Sequence, residues 1–230
     1  LSTYQERKMD DLFVSAIVVV VTAVIVAAIF FITGKKKREK EAALLQLAQR
    51  KGWRYEKVNQ GKHTGFILRA PKWTLESLVY SDYRTSEVGS STVAYHNRWL
   101  TDRVSSTHGL VMIGPKLPHA QLGALNSLML RKALQLMLGD EADQAASLVE
   151  MQVGRSSFSE RYSVWAVNQE GVEQVLTYNL ENALLRWKGK ELPVLKFSAA
   201  GAQISTRHGR LDSVEQVQEM VDLGMAVLAG

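Results

Sequence analysis

Residues 12–32 read LFVSAIVVVVTAVIVAAIFFI, an uninterrupted run of 21 residues without a single charge. Only Ser15 and Thr22 within this run are polar. A helix of this length is about 30 Å long, which matches the hydrocarbon core of a bilayer. A buried core helix and a cleaved signal peptide are the alternatives, but the run passes directly into lysines, which is typical of a stop-transfer sequence. We therefore expect a transmembrane helix over residues 12–33, preceded by a short external N-terminus, residues 1–11.

A basic cluster follows the apolar run and consists of Lys35, Lys36, Lys37, Arg38 and Lys40. The positive-inside rule places this cluster in the cytoplasm and the N-terminus outside. The sequence thus predicts a single-pass protein of a bacterial inner (plasma) membrane, with its C-terminal domain cytoplasmic and the basic cluster against anionic headgroups. The cluster opens a juxtamembrane helix over residues 34–52, built from strong helix formers and ended by Gly52.

The net charge of +5 and the pI of about 9.4 come mainly from this cluster. Residues 35–40 sum to +4 and residues 1–34 sum to −1, so that only +2 remains for residues 41–230. The region after the cluster therefore gives no electrostatic reason to expect a nucleic-acid partner. The chain has no cysteine, which excludes disulfides, iron–sulfur clusters and cysteine zinc sites.

The rest of the chain, residues 53–230, alternates between strand and helix patterns. Strands are predicted over residues 53–58, 64–69, 73–83, 91–104, 108–114, 158–167, 192–197 and 202–206. Helices are predicted over residues 122–138, over residues 172–187 and after Asp212, which with Glu215 resembles a capping box. The predicted fold class is α+β, with one N-terminal transmembrane helix followed by a cytoplasmic domain of antiparallel sheet covered by helices. A polar stretch at residues 139–150 is a candidate internal boundary.

The residue types that commonly act in catalysis or bind metals form no recognisable catalytic, metal or cofactor motif. The five histidines never stand three or four residues apart, and phosphate-loop, dinucleotide and nucleophile-elbow motifs are absent from the sequence. One run is a candidate binding patch, because Tyr95, His96, Arg98 and Trp99 combine aromatic and basic side chains that suit an anionic or planar ligand. A strand face with ordinary cross-strand pairs explains the same run without a ligand. We predict no catalytic residue, no metal ligand and no cofactor.

Two short motifs carry a resemblance to a known group of proteins. Residues 49–56 read QRKGWRYE, and residues 158–164 read FSERYSV. They resemble the Gly-Trp-x-Tyr-like and Phe-x-x-Arg-Tyr-x-Val-like strands of uncharacterised bacterial membrane-anchored proteins with a cytoplasmic domain of unknown function. The resemblance covers the chain from the first motif onward. It implies an anchored domain with no catalytic residues to transfer onto this chain.

The function expected from the sequence is that of an accessory or structural subunit in a bacterial membrane complex of respiratory or photosynthetic type. The span would contact larger integral subunits and the lipid bilayer, and the domain would brace the cytoplasmic side without redox or catalytic activity. The alternative is a membrane-tethered regulatory module that binds a ligand or a protein through the patch at residues 95–99. An enzyme without a short motif is a third hypothesis. No small-molecule substrate is suggested by the sequence.

Overall fold

The computed structural model describes residues 2–82, 92–116, 132, 135, 139–207 and 209–230. The chain divides into two compact units, Leu1–Gln46 and Leu47–Gly230.

The N-terminal unit is formed by helix α1, Ser2–Lys51, whose last residues belong to the second unit. The helix passes through Gly34 without a break. As predicted, it ends at Gly52, which has a φ of +69° and donates its backbone N–H to the carbonyl of Gln49 over 3.2 Å. Glycine adopts this left-handed conformation without the steric cost that a side chain would add, and it therefore suits the end of a helix.

The predicted transmembrane helix, and with it the predicted fold class, is wrong. Among the described residues, no helix combines the length and the apolar composition that a bilayer crossing requires. A crossing helix needs about 20 predominantly apolar residues. The architecture that the structure supports is a nine-stranded antiparallel sheet with helices.

The described part of the second unit is built on this sheet, in which every pair of neighbouring strands is antiparallel. The spatial order of the strands is β1-β2-β3-β4-β9-β8-β5-β7-β6. Their bounds are Arg54–Gln60 (β1), His63–Ala70 (β2), Trp73–Asp82 (β3), Thr92–Thr101 (β4), Val111–Pro115 (β5), Val149–Met151 (β6), Tyr162–Ala166 (β7), Val194–Ser198 (β8) and Gly201–Thr206 (β9). The sheet is continuous across residues 139–150, the candidate internal boundary.

The turn residues at 59–61 and at 199–201 predict two hairpins between consecutive strands, and both hairpins are confirmed. Strands β1 and β2 pair from Arg54 with Arg69 to Gln60 with His63, across a turn in which Gly61 has a φ of +55°. Strands β8 and β9 pair across residues 199–200. Both hairpins could be predicted because the signals, alternation and turn residues, are local.

The helices of the second unit depart from the prediction in three places, one of which is a short helix over residues 156–159 at the start of the strand predicted over residues 158–167. Their bounds are Ser156–Ser159 (α2), Gln169–Val175 (α3), Tyr178–Arg186 (α4) and Val214–Leu228 (α5), and a 3-10 segment occupies Gly139–Ser147. The single helix predicted over residues 172–187 is wrong, because the Thr177 hydroxyl accepts the backbone N–H of Leu180 and starts a new helix there. The last helix is opened by a capping box of Ser213 and Gln216, one residue beyond the predicted pair. The helix predicted over residues 122–138 lies outside the described residues, apart from 132 and 135.

The core lies on the face of the sheet that contacts the helices, which we call the covered face. A row of directly paired residues crosses the sheet on this face, each at most 1% exposed: Leu68, Leu75, Trp99, Ile204, Leu195, Ile113 and Val164. Helix α5 approaches this row so closely that Gly224 lies directly over the Trp99 ring. We call the opposite side the open face. Near β5 and β7 the open face also carries an apolar cluster of Leu110, Met112, Ala145 and Trp165.

Candidate functional site

The four residues of the predicted binding patch do not share one surface. Alternation along β4 places Tyr95 and Trp99 on the covered face, and His96 and Arg98 on the open face. Trp99 is fully buried beneath α5, whereas Tyr95 is 38% exposed near the other end of the strand. The structure therefore brings His96 and Arg98 together and separates both of them from Trp99.

On the open face, His96 belongs to a row of rings that crosses three strands. The centroid of the His63 ring lies 4.4 Å from that of Tyr80, and the centroid of Tyr80 lies 5.8 Å from that of His96. Burial lowers the pKa of His96, and the positive charges of Arg98 and Arg207 lower it further, while Glu76 opposes them. The His96 imidazole is therefore neutral at neutral pH and acts as a packing group in this row.

Arg98 is held by a carboxylate of the neighbouring strand. Its Nη2 and Nε atoms donate to Oε2 of Glu76 over 2.8 Å and 3.2 Å, and both side chains are partly buried. The two residues are direct cross-strand partners in the register of β3 and β4. The Arg98 charge is thus neutralised within the sheet, which is the arrangement of an ordinary cross-strand pair.

A buried polar network that the sequence reasoning missed lies on the covered face beside Trp99. The Ser77 hydroxyl donates to Oδ1 of Asn97 over 2.8 Å, and Nδ2 of Asn97 donates to the hydroxyl of Thr206 over 3.2 Å and to the carbonyl of Gly209 over 2.8 Å. The Ser77 hydroxyl also accepts the backbone N–H of Leu211 over 3.2 Å. The network joins β3, β4 and β9 to the segment that leads into α5. Its members are far apart in sequence, so only the strand register could reveal it.

A cleft of about 500 Å³ lies at the end of the sheet where the β2–β3 and β8–β9 turns meet. Its lining includes Arg69, Glu76 and Asp102, and each of these charges is within ion-pair distance of an opposite charge. Nε of Arg69 lies 3.5 Å from a Glu56 oxygen, and Nε of Arg103 lies 3.5 Å from an Asp102 oxygen. Arg69, Glu76 and Asp102 therefore have partners in the protein itself.

A groove of about 850 Å³ lies between α4 and α5, and we call it the α4–α5 groove. Its apolar lining residues include Ala183 on α4, Trp187 directly after α4, and Leu223 and Ala226 on α5, and they lie among polar side chains of both helices. Tyr178 stands at one end with 69% of its surface exposed. This combination of an apolar lining and an exposed aromatic side chain is typical of binding surfaces.

Three carboxylates border the α4–α5 groove along α5, namely Glu215, Glu219 and Asp222. Their spacing of four and three residues puts them on one side of the helix. A backbone hydrogen bond, and after it the Ser213 hydroxyl, lower the pKa of Glu215 at the start of α5, so this carboxylate stays charged at neutral pH. Glu219 accepts the backbone N–H of Lys188, and Asp222 accepts from the Gln218 amide over 2.7 Å.

The Tyr178 end of the groove is fixed by an arginine outside it. The Arg155 guanidinium lies 5.1 Å from the centre of the Tyr178 ring. Arg155 in turn donates from Nε to Oε1 of Glu181 over 2.8 Å and from Nη2 to Oδ1 of Asn182 over 2.5 Å. Glu181 is largely buried and also accepts the backbone N–H of Arg155, so the pair attaches the α2 region to α4. These contacts orient an exposed aromatic side chain before any partner is present.

No three His, Cys, Asp or Glu residues lie close enough to hold a metal ion within the described ranges. His63 and His96 are on strands, His108 is in an exposed loop, and His119 and His208 lie outside the described residues. The basic cluster, Lys35 to Lys37 with Arg38 and Lys40, is exposed along α1 in the N-terminal unit. No family model, curated protein or solved structure matches this chain.

Proposed function

We propose that this chain is a non-catalytic accessory subunit whose α+β domain binds another protein through the α4–α5 groove. The observation that carries the proposal is the groove itself, which joins an apolar lining to a row of three carboxylates. The occupant we propose is an amphipathic helix that places apolar side chains in the groove and lysine or arginine side chains toward α5. Helix-in-groove binding of this kind is a recurring mode of protein recognition.

The dimensions of the groove support this occupant. A cavity of about 850 Å³ accommodates several side chains of a partner helix. Ala183 and Ala226 are small, so a partner backbone can approach closely, and the exposed Tyr178 ring can pack on its surface. Buried aromatic anchors near an apolar centre supply much of the binding energy in protein interfaces.

The charges in the groove support the orientation of the occupant. The lining holds three carboxylates on α5 against two cations, Arg186 and Lys188, at the end of α4. The negative charge is therefore concentrated along α5. Basic side chains of a partner would lie favourably there, and rim charges of this kind contribute mainly to specificity and association rate.

The experiment uses the full chain and two synthetic amphipathic helices, one of leucine and lysine and one of leucine and glutamate, with binding followed by fluorescence anisotropy. The leucine–lysine helix should bind and the leucine–glutamate helix should not. The variant E215K/D222K should weaken the binding at least about tenfold, because both rim charges become repulsive.

The matched control is E170K/E173K, which reverses two exposed carboxylates on α3, outside the groove. It should bind the leucine–lysine helix as tightly as the unmodified chain does. Circular dichroism of both variants separates loss of binding from loss of folding. If the two variants weaken binding equally, or if neither helix binds, the groove is not the binding surface.

A further inference from the structure

The strongest exposed apolar patch of the described chain lies on α1 and not on the α+β domain. Six large apolar residues fall within eight positions and are each 45–75% exposed, namely Ile25, Val26, Ile29, Phe30, Phe31 and Ile32. The other large apolar residues with this degree of exposure are scattered singly along the described chain. A contiguous exposed patch of this kind marks an interaction site, whereas single exposed residues are normal.

The basic cluster follows this patch within one helical turn. Five of residues 35–40 are cations and all six are exposed, for a net charge of +4. The single acid, Glu39, lies 3.9 Å from the Lys35 ammonium, and both side chains are more than 60% exposed. A contact of this kind between exposed, solvated groups neutralises little of the cluster.

The helix between the patch and the cluster is continuous. The Thr33 hydroxyl donates to the carbonyl of Ile29 over 2.8 Å and lies 3.1 Å from the carbonyl of Phe30, so even the polar residue at the junction satisfies its hydrogen bond within the helix. The patch and the cluster are therefore successive parts of one rigid rod, which rises about 1.5 Å per residue. A surface that contacts Phe31 is within reach of the lysines that follow it.

We propose that residues 25–40 of α1 bind an anionic lipid surface, with the phenylalanines in the interfacial region and the basic cluster against the headgroups. This inference goes beyond the protein-binding role proposed above and is independent of it. The proposed binding requires contact with only one leaflet of a lipid bilayer. Anionic headgroups attract basic clusters, and exposed aromatic and aliphatic side chains add apolar burial at the same interface.

The charges favour lipid over a second copy of the chain. A parallel pair of copies would place two segments of net charge +4 side by side, which costs free energy. The apolar residues also lie on every side of the helix rather than on the single stripe that a two-helix contact buries.

The test is flotation of the full chain with vesicles of phosphatidylcholine alone and with vesicles that also contain phosphatidylglycerol. The chain should partition more strongly onto the anionic vesicles, and added salt should reduce the difference. The variant K36Q/K37Q should lower partitioning onto the anionic vesicles about 25-fold, at about fivefold for each cation removed. The variant F30S/F31S should lower partitioning onto both kinds of vesicle.

The matched control is K57Q/K62Q, which removes two exposed lysines of the second unit and should leave flotation unchanged. Equal partitioning onto neutral and anionic vesicles would overturn the proposal, as would equal losses in K36Q/K37Q and the control. Self-association that disappears in F30S/F31S, without any vesicle binding, would assign the patch to a second copy instead. None of these readouts depends on the α4–α5 groove, so the two proposals can fail separately.

Discussion

Substitution of Gly224 by alanine tests how closely α5 lies on the sheet. A Cβ atom at this position would lie 2.1 Å from Cε2 of Trp99 and 2.5 Å from Cδ2 and Nε1 of the same ring. Ordinary contact begins at 3.4 Å, so the helix or the ring must move by about 1.3 Å. Trp99 cannot move freely, because it is fully buried between Leu75 and Ile204 in the central row of the covered face.

The expected loss of stability combines two opposing terms. Overpacking against a buried ring costs about 3 kcal/mol, the upper end of the usual range, because neither the helix backbone nor the indole is a flexible chain end. Alanine is favoured over glycine inside a helix by about 1 kcal/mol. The net loss is about 2 kcal/mol, which lowers the Tm of a domain of this size by about 4–8 °C.

The assay is thermal and urea unfolding of the full chain, followed by circular dichroism and tryptophan fluorescence. Gly224→Ala should lower the urea midpoint without changing the m-value. The control is Gly34→Ala on α1, where the structure shows nothing within 4 Å of the added Cβ. This control should not lower the Tm. If Gly224→Ala is as stable as the unmodified chain, α5 does not contact the Trp99 ring as described.

Two further predictions concern buried polar groups. Asn97→Ala should lower the free energy of unfolding by about 3 kcal/mol in urea titrations, because it leaves the buried hydroxyls of Ser77 and Thr206 without this partner; a loss below about 1 kcal/mol would contradict this reading. Burial raises the pKa of Tyr162 to about 12, although the nearby Arg161 lowers it in part. The neutral phenol therefore contributes stability that is fully present below about pH 10, the ordinary pKa of tyrosine. This stability should be lost as the pH rises from about 10 toward 12. Tyr162→Phe should make unfolding less sensitive to pH in this window, and an unchanged pH profile would refute the role of this phenol.

The sequence determined the local elements of this protein. Alternating residues and turn residues predict the β1–β2 and β8–β9 hairpins, and Gly52 predicts the end of α1, because each signal lies within a few residues of the element that it controls. Local signals failed where two of them competed. The apolar spacing over residues 172–187 suits one helix, but the Thr177 cap divides it into two.

The membrane prediction was also made from local signals alone. An apolar run and a basic flank are local signals, and they predicted a span over residues 12–33 that no helix of the described chain satisfies. Part of that signal is the exposed segment of residues 25–40, whose apolar and basic parts are both present on α1.

Only the tertiary structure decided which residues share a surface. His96, Arg98 and Trp99 are neighbours in sequence, yet the pleat of β4 sends them to opposite faces, where Arg98 pairs with Glu76 and Trp99 packs beneath Gly224. The Asn97 network and the α4–α5 groove join residues that are far apart in the chain. Their formation depends on the order and register of the strands, which long-range packing selects and which single-residue patterns do not encode.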